Sequence, residues 1–299
     1  MGRRRMPGHR LLTGAAVTLL ALVLVGCDPL ATPGGEAPLR YRDDVFTTVT
    51  RTSNISYGSA VDQDGQTTTL RLDLYEPTGD TVTARPAIVW VHGGSFCCGS
   101  KTSPELVEEA NAFARKGYVT VSIDYRLVED GCTPGADLGR CITAIGHARE
   151  DAQTAVRFLR SQAATYRIDP DRIAIGGSSA GAITALNVGY SPENPGPGQH
   201  QGFSSAVRAV QSISGAELAS GPINAGDAPA LLFHGTNDGL VPYSWATDTV
   251  DRATAAGLLA VLRTWEGAGH VPYSQHRTQI LEETRNFFYW RLDLAHAAR

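Results

Sequence analysis

Ser179 is the residue in this sequence whose neighbours best suit a nucleophile. It lies in the segment 177–181, with a glycine two positions before it and another two positions after it. The apolar run 172–175 predicts a buried strand before it, and the Ala- and Leu-rich segment 180–190 predicts a helix after it. A serine on a sharp strand-to-helix turn needs these glycines, because side chains there would collide with neighbouring backbone. Ser178 lacks the flanking pattern, so we expect it to be a bystander.

Two later loops carry the groups that would activate such a serine. His270 follows a glycine-rich stretch beyond the apolar run 258–262, and it is the candidate general base. Asp238 follows the apolar run 230–233, and it is the candidate acid that would hold the imidazole. Plainer interpretations are a surface histidine in a turn and a turn aspartate before glycine. His276 is a rival base, although it lies within a predicted helix.

Backbone donors for an oxyanion are predicted after the strand 87–91. Gly93 and Gly94 follow this strand, and their N–H groups, together with that of Ala180, would form an oxyanion hole. The plainer interpretation is a strand that ends in a glycine pair. We expect His92 to form structural hydrogen bonds rather than to act as a second base.

The remaining pattern alternates strands and helices. Apolar runs predict strands over 68–75, 87–91, 118–123, 172–175, 207–213, 230–233 and 258–262. Helical spacing predicts helices over 104–116, 148–160, 180–190, 243–256 and 274–294. This alternation is typical of a mostly parallel sheet with helices on both faces. A hairpin over 45–75 would add antiparallel strands at one edge.

Taken in order, these motifs resemble those of an α/β-hydrolase of the carboxylesterase/lipase type. The matching segments are VHGG at 91–94, SIDYRL at 122–127, IDPDRI at 168–173 and GSSAG at 177–181, followed by the Asp238 and His270 loops. The resemblance runs from residue 68 to the end of the chain and implies a central sheet of about eight strands. It also implies roles for six residues: Ser179 as nucleophile, Asp238 as acid, His270 as base, and Gly93, Gly94 and Ala180 as oxyanion donors. Ser95 stands where many relatives have a third glycine, which leaves the shape of that loop open.

The resemblance implies a serine ester hydrolase that works through an acyl-enzyme, with no metal or organic cofactor. A serine peptidase of the same fold is an alternative, since the triad does not distinguish esters from amides. A non-catalytic surface binding module is another. No insertion large enough for a cap domain follows 206–214, so we expect a shallow acyl site bounded by the loops 93–98, 128–141 and 191–205. Such a site favours short-chain or polymer-attached esters.

The overall charge argues against a nucleic acid as partner. The net charge is −4, charged residues make up 19% of the chain, and no basic stripe occurs in its body. The hydrophobic fraction of 42% is typical of a soluble domain with a sizeable core.

The N-terminus has the features of an export signal. Four arginines precede an uncharged apolar stretch at 11–25, which is shorter than the roughly 20 residues of a membrane span. It ends in LVGC at 24–27, which resembles the lipobox of bacterial lipoproteins, where the signal is cut before a cysteine that carries lipid. We therefore predict a signal peptide over 1–26, a lipidated Cys27, a flexible tether over 27–39 and a catalytic domain over 40–299. An ordinary secretion signal with an incidental cysteine is the alternative. The protein would then be secreted rather than anchored by lipid to the outer side of the cell membrane.

Four further cysteines suggest disulfides in an exported chain: Cys97, Cys98, Cys132 and Cys141. Their spacing does not suit a zinc site. We predict at least one disulfide between the Cys97/Cys98 pair and Cys132 or Cys141, because the two loops follow neighbouring strands. The local set, Cys97–Cys98 with Cys132–Cys141, is the alternative.

Overall fold

A computed structural model describes residues 1–2, 28–191, 198–218 and 221–297 of the chain. Eight strands form one sheet: β1 (Val49–Val61), β2 (Thr67–Pro77), β3 (Arg85–Val91), β4 (Val119–Ile123), β5 (Ile168–Ser178), β6 (Ala209–Ile213), β7 (Ala230–Gly235) and β8 (Ala260–Trp265). Their order across the sheet is β1-β2-β4-β3-β5-β6-β7-β8. β1 pairs antiparallel with β2 and β2 antiparallel with β4, whereas the other neighbours are parallel. The predicted parallel sheet and edge hairpin are confirmed.

Helices cover both faces of this sheet. They are α1 (Pro104–Arg115), α2 (Leu138–Ser161), α3 (Ala163–Tyr166), α4 (Ala180–Gly189), α5 (Tyr243–Ala255), α6 (Tyr273–Arg291) and α7 (Leu294–Ala297). Residues of α2, α4 and α5 contribute to the core on one face, and residues of α1 and α6 contribute to the core on the other. The arrangement is the α/β-hydrolase fold that the sequence predicts.

The continuous apolar run of β3 follows from its central position. Ala87, Val89 and Val91 belong to the core on one face, and Ile88 and Trp90 belong to the core on the other. All seven residues of the strand are buried. Alternate side chains of a strand point to opposite faces, so the stretch 87–91, which is covered on both sides, is apolar at every position.

Helix α2 begins ten residues earlier than the predicted 148. Its N-cap is Asp137, whose side chain accepts a hydrogen bond from the Arg140 N–H at 2.9 Å. The first turns lack an apolar stripe facing the core: Leu138 and Ile142 are 72% and 52% exposed. The helical spacing of apolar residues therefore predicts only the later, buried part of the helix.

The cysteines pair differently from our prediction. The disulfide joins Cys132 to Cys141, with Cα atoms 4.6 Å apart, and Cys97 and Cys98 are free thiols. The expected cross-link between the two loops is wrong. The loops are neighbours, but backbone joins them: the Cys132 N–H donates to the Ser95 carbonyl at 2.8 Å.

The described part of the predicted tether, residues 28–39, contacts the body of the protein. Leu30 is 6% exposed and packs with the α6 side of the core. The Asn286 side chain donates to the Leu30 carbonyl at 2.9 Å, and the Trp290 indole donates to the Ala31 carbonyl at 2.8 Å. These contacts differ from the free chain that the Pro- and Gly-rich composition predicts.

The predicted signal peptide and Cys27 fall almost wholly outside the described residues, which omit 3–27. Among the helices that are described, none has the length and apolar character required to cross a bilayer.

Candidate active site

Ser179 lies between β5 and α4 with a backbone conformation that is costly for a residue with a side chain. Its φ is 53° and its ψ is −120°. A Cβ at Gly177 would lie 2.3 Å from the Val91 carbonyl oxygen, and one at Gly181 would lie 1.9 Å from the same oxygen. Both glycines are therefore required by the close approach of β3, as the sequence predicts. The Ser179 N–H donates to the Ile213 carbonyl at 2.8 Å, which fixes the turn against β6.

The three residues predicted as a triad form one chain of contacts. The Ser179 Oγ lies 2.8 Å from His270 Nε2, and His270 Nδ1 lies 3.0 and 2.8 Å from the two carboxylate oxygens of Asp238. A carboxylate only accepts, so Nδ1 carries the proton and donates it to Asp238. Nε2 is then free to accept the Ser179 hydroxyl proton. This geometry is that of a nucleophile, a base and an orienting acid.

Asp238 remains an anion because the hydrogen bonds that it accepts lower its pKa by more than burial raises it. Its side chain is fully buried, and one carboxylate oxygen accepts the Leu240 and Val241 N–H groups at 2.9 and 3.0 Å. Burial raises the pKa of Asp238, but the hydrogen bonds from His270 and from these N–H groups bring it below its ordinary value. A buried negative charge is therefore available to stabilise a protonated His270.

His234 supports the acid and was not predicted from the sequence. It is fully buried; its Nε2 donates to the Val241 carbonyl at 2.9 Å and lies 3.2 Å from an Asp238 oxygen. Burial lowers the pKa of His234, which keeps the ring neutral beside the acid. The only sequence signal was its position at the end of an apolar run, four residues before Asp238.

Close backbone contacts bring the acid and base loops together. A Cβ at Gly235 would lie 2.2 Å from the Ala268 carbonyl oxygen, and the Asn237 N–H donates to that oxygen at 2.9 Å. The hydroxyl of Ser214, after β6, accepts the Val271 N–H at 2.9 Å and so holds the residue next to the base. Ser214 carried no signal in the sequence.

The rival base, His276, is engaged elsewhere. It lies on α6 and stacks on Trp265, with ring centroids 4.0 Å apart. His270 is therefore the histidine that the structure places at the serine.

The predicted oxyanion donors lie beside Ser179. A Cβ at Gly93 would lie 3.1 Å from the Ser179 Cβ, and Ala180 is the first residue of α4. Across the described residues, the N–H groups of Gly93, Gly94 and Ala180 have no hydrogen-bond partner. They are thus free to receive a developing negative charge.

His92 is structural, as expected. It is 1% exposed, its ring stacks on Tyr125 at 4.3 Å, and its Nδ1 contacts the Gly93 carbonyl at 2.6 Å. Burial lowers the pKa of His92.

A cavity of about 420 Å³ opens beside Ser179. Its walls are Ser95, Phe96, Cys132, Pro134, Leu138, Cys141, Ile142, Ile145, Ser179, Ala180, Ile183, Leu218, Gly239, Leu240, Val241 and Trp245. Most of these side chains are apolar, and the volume is within the range of small-molecule sites. The predicted loops 93–98 and 128–141 line this cavity, but Ile142 and Ile145 of α2 and the 239–245 segment add walls that the sequence did not reveal, so the site is a cavity rather than the shallow surface that was expected. No described residue of the loop 191–205 lines the cavity.

A second cleft of about 350 Å³ also borders the serine. It is lined by Gly93, Gly94, Ser95, Gly99, Ser103, Glu105, Ser178, Ser179, Leu240, His270 and Val271. Except for Ser178, each of these residues is at least partly exposed. The two spaces meet at Ser179, but only the second includes His270.

The described residues do not place three or more His, Cys, Asp or Glu side chains together where they could hold a metal ion.

Two family models match successive parts of the chain. The model described as BD-FAE matches residues 72–218, and the model described as TAP-like protein matches residues 207–289. The chain therefore has the α/β-hydrolase fold, and parts of it are similar to carboxylesterases and lipases. This α/β-hydrolase is 33% identical over 129 residues to carboxylesterase 3B of Mus musculus, with 42% of the chain and 21% of that protein covered. It is 34% identical over 125 residues to the phenmedipham hydrolase of Pseudarthrobacter oxydans, with 41% and 23% covered. The chain thus spans less than a quarter of these relatives' length.

Solved esterase structures share the fold of this α/β-hydrolase. Esterase 2 of Thermogutta terrifontis phosphoramylated by tabun superposes with a TM-score of 0.67 at 24% identity, covering 80% of this chain and 94% of that one. A truncated carbohydrate esterase from gut microbiota superposes with a TM-score of 0.62 at 22% identity, covering 84% and 98%. At these identities the likeness establishes the fold.

Proposed function

We propose that this α/β-hydrolase is a serine carboxylic-ester hydrolase. The observation that carries the proposal is the continuous contact from Ser179 through His270 to buried Asp238, next to three unpaired backbone N–H groups. Relatives described as carboxylesterases, lipases and esterases support the same chemistry.

The residues suggest a two-step reaction. The Ser179 hydroxyl transfers its proton to His270 Nε2 while its oxygen bonds to the ester carbonyl carbon. The carbonyl oxygen becomes an oxyanion held by the N–H groups of Gly93, Gly94 and Ala180. The C–O bond to the alcohol then breaks, and the alcohol oxygen takes the proton from Nε2. Water, deprotonated by the same nitrogen, hydrolyses the acyl-enzyme and restores the serine.

The two spaces around Ser179 bind different parts of the substrate. The leaving alcohol must receive a proton from His270, and His270 lines the cleft but not the cavity. The alcohol therefore occupies the cleft and the acyl group occupies the apolar cavity. Because the cleft is formed by partly exposed residues, it accepts an alcohol that remains attached to a polymer.

The acyl group is short to medium in length. Each methylene buried in the cavity contributes roughly 0.8 kcal/mol until the chain reaches the far wall. We expect kcat/KM to rise from acetyl through butyryl to about hexanoyl esters and to fall at palmitoyl, as the extra carbons of the longest chain stay outside. A maximum at palmitoyl would contradict this assignment of the cavity.

Labelling with a fluorophosphonate probe tests the nucleophile directly. Wild-type protein and Ser178→Ala are expected to label, and Ser179→Ala is expected not to. Ser178 is the matched control, since its hydroxyl contacts Glu105 at 3.4 Å instead of the base. A wild-type protein that fails to label would favour the non-catalytic binding module. Faster turnover of an amide than of the matching ester would favour the peptidase.

We further propose that Cys27 carries a lipid that anchors the protein to the outer side of the cell membrane. Three Cα–Cα steps of 3.8 Å separate Cys27 from Leu30, so a lipid at Cys27 would hold the packed body within about 11 Å of chain from the membrane. Cys27→Ala is expected to move the protein from the membrane fraction to a soluble or unprocessed fraction. Unchanged membrane association of the variant would overturn the anchor.

A further inference from the structure

The adjacent thiols of Cys97 and Cys98 are not used by the proposed reaction, yet they touch each other. Their sulfur atoms lie 2.9 Å apart, and Cys98 is exposed while Cys97 is half-buried. The Cys132–Cys141 disulfide leaves them without another cysteine partner among the described residues.

These cysteines close the turn of residues 93–99, which we call the oxyanion loop. The Cys97 and Cys98 N–H groups both donate to the Gly94 carbonyl at 3.0 Å. Gly94 is one of the proposed oxyanion donors, and a Cβ on it would lie 2.2 Å from the Cys98 carbonyl oxygen. The backbone of the cysteine pair therefore sets the position of Gly94.

The oxyanion loop is also strained. Ser95 and Phe96 have φ values of 51° and 63°, a left-handed conformation that is unfavourable for residues with side chains. Contacts with neighbouring segments help to offset this cost: the Phe96 carbonyl accepts the Val128 N–H at 2.9 Å, the Ser95 carbonyl accepts the Cys132 N–H at 2.8 Å, and the buried Phe96 ring packs against Tyr125. A covalent restraint within the turn would hold the strained conformation in place.

We propose that Cys97 and Cys98 form a second disulfide, and that this bond positions the oxyanion loop for catalysis. The oxidant is a small-molecule disulfide such as oxidised glutathione. The exposed Cys98 thiolate attacks one sulfur of the oxidant, whose S–S bond breaks and releases one thiolate. Cys97 then loses its proton, attacks the Cys98 sulfur and releases the second thiolate. The two protein thiols lose two electrons and two protons, and one glutathione disulfide becomes two glutathiones.

The order of attack follows from the surroundings of the two thiols. Burial raises the pKa of Cys97 to about 11, so the exposed Cys98 is the one that meets an external disulfide first. The contact between the sulfur atoms then makes the second step intramolecular, which compensates for the weakly acidic Cys97 thiol.

Peptide mapping tests the bond independently of any activity. The full chain is equilibrated with oxidised and reduced glutathione, quenched with acid, denatured, alkylated with iodoacetamide and digested with trypsin. The tryptic peptide 72–101 contains Cys97 and Cys98 and no other cysteine. We expect it to be two hydrogens lighter than its reduced form and free of alkyl groups. The linked peptides that carry Cys132 and Cys141 serve as the internal control, and a doubly alkylated peptide 72–101 beside them would overturn the bond.

The positioning role rests on the proposed ester hydrolysis and is tested by kinetics. In oxidised wild-type protein, kcat for an ester is expected to exceed that of the Cys97→Ser/Cys98→Ser variant by about fivefold with little change in KM, a smaller effect than losing an oxyanion donor. The kcat values of the two reduced proteins are compared as a control, because reduction opens the Cys132–Cys141 disulfide in both. Equal kcat values for the two oxidised proteins would overturn the role. If neither protein hydrolyses any ester, the proposed function fails, while the peptide map still decides the bond.

Discussion

At the scale of single residues, the triad depends on side chains that act together. Ser179 contacts His270, and His270 contacts both oxygens of Asp238. The serine hydroxyl is a weak nucleophile unless its proton is taken, and the protonated histidine is costly unless the buried carboxylate is present.

Substitutions within this triad should therefore be non-additive. Ser179→Ala and His270→Ala are each expected to reduce kcat by roughly 10⁴–10⁶-fold, and Asp238→Asn by about 10⁴-fold. Either of the latter combined with Ser179→Ala should be little worse than Ser179→Ala alone. Steady-state kinetics on a chromogenic ester measures this, with circular dichroism to show that each variant is folded. His276→Ala is the control; a large loss there with a mild His270→Ala would mean that the base has been wrongly assigned.

His234 should act as a positioning residue for the acid. Its Nε2 holds the Val241 carbonyl, and the Val241 N–H donates to Asp238. His234→Leu is expected to lower kcat by roughly ten- to a hundredfold with little change in KM, because a displacement of about 1 Å in such a site can cost 10²-fold. His234→Gln keeps a donor at the same distance from the backbone and should restore most of the activity. A leucine variant with normal kcat, or a glutamine variant no better than leucine, would argue against this role.

At the scale of elements, the apolar cavity is a product of one helix end and two loops. The first turns of α2 supply Leu138, Ile142 and Ile145, and the disulfide between Cys132 and Cys141 ties the preceding loop to that helix.

The length of the acyl chain should respond to Ile145, which is 6% exposed at the cavity wall. Ile145→Phe narrows the space and should lower the hexanoyl-to-acetyl ratio of kcat/KM by about tenfold or more, since two methylenes at roughly 0.8 kcal/mol each lose their burial. Hydrolysis of the acetyl ester is the internal control and should be nearly unchanged. An unaltered ratio would place the acyl group outside this cavity.

At the scale of the whole molecule, a buried ion pair joins the edge strand, the loop after β4 and helix α2. Asp151 is 1% exposed and accepts the Arg126 backbone N–H at 2.7 Å and its Nε at 3.0 Å, while the Arg126 Nη1 donates to the Val61 carbonyl at 2.7 Å. Burial raises the pKa of Asp151 to about 6, although the hydrogen bonds from Arg126 oppose that rise.

This group gives stability a defined dependence on pH. The folded protein holds the Asp151 proton to a higher pH than the unfolded chain does, because the pKa of Asp151 in the unfolded chain is the ordinary 3.8. Its contribution is therefore fully present below about pH 4 and is lost as the pH rises through about 6. Chemical denaturation of wild-type protein and Asp151→Asn from pH 4 to 7 measures it. The difference in free energy of unfolding, wild type minus variant, should decrease as the pH rises; an increase would mean that Arg126 dominates and lowers the pKa instead.

The sequence alone predicted the order of the elements and the residues that the proposed reaction uses. Apolar runs record the burial of a single segment, and the glycines around Ser179 mark a turn too tight for side chains, so β3, β5 and this turn could be predicted without coordinates. Asp238, His270 and the Gly93–Gly94 pair could be assigned because each follows a predicted strand, and parallel strands end at one edge of the sheet.

Only the tertiary structure decided which distant groups meet. The pairing of Cys132 with Cys141, the support of Asp238 by His234 and the packing of Leu30 on α6 depend on approaches between segments that no local pattern encodes. The cavity has the same origin, because Leu138 and Ile142 look like ordinary surface residues of a helix until the 239–245 segment faces them. A local pattern records which side of an element is buried, whereas the shape of a site depends on the space left between elements.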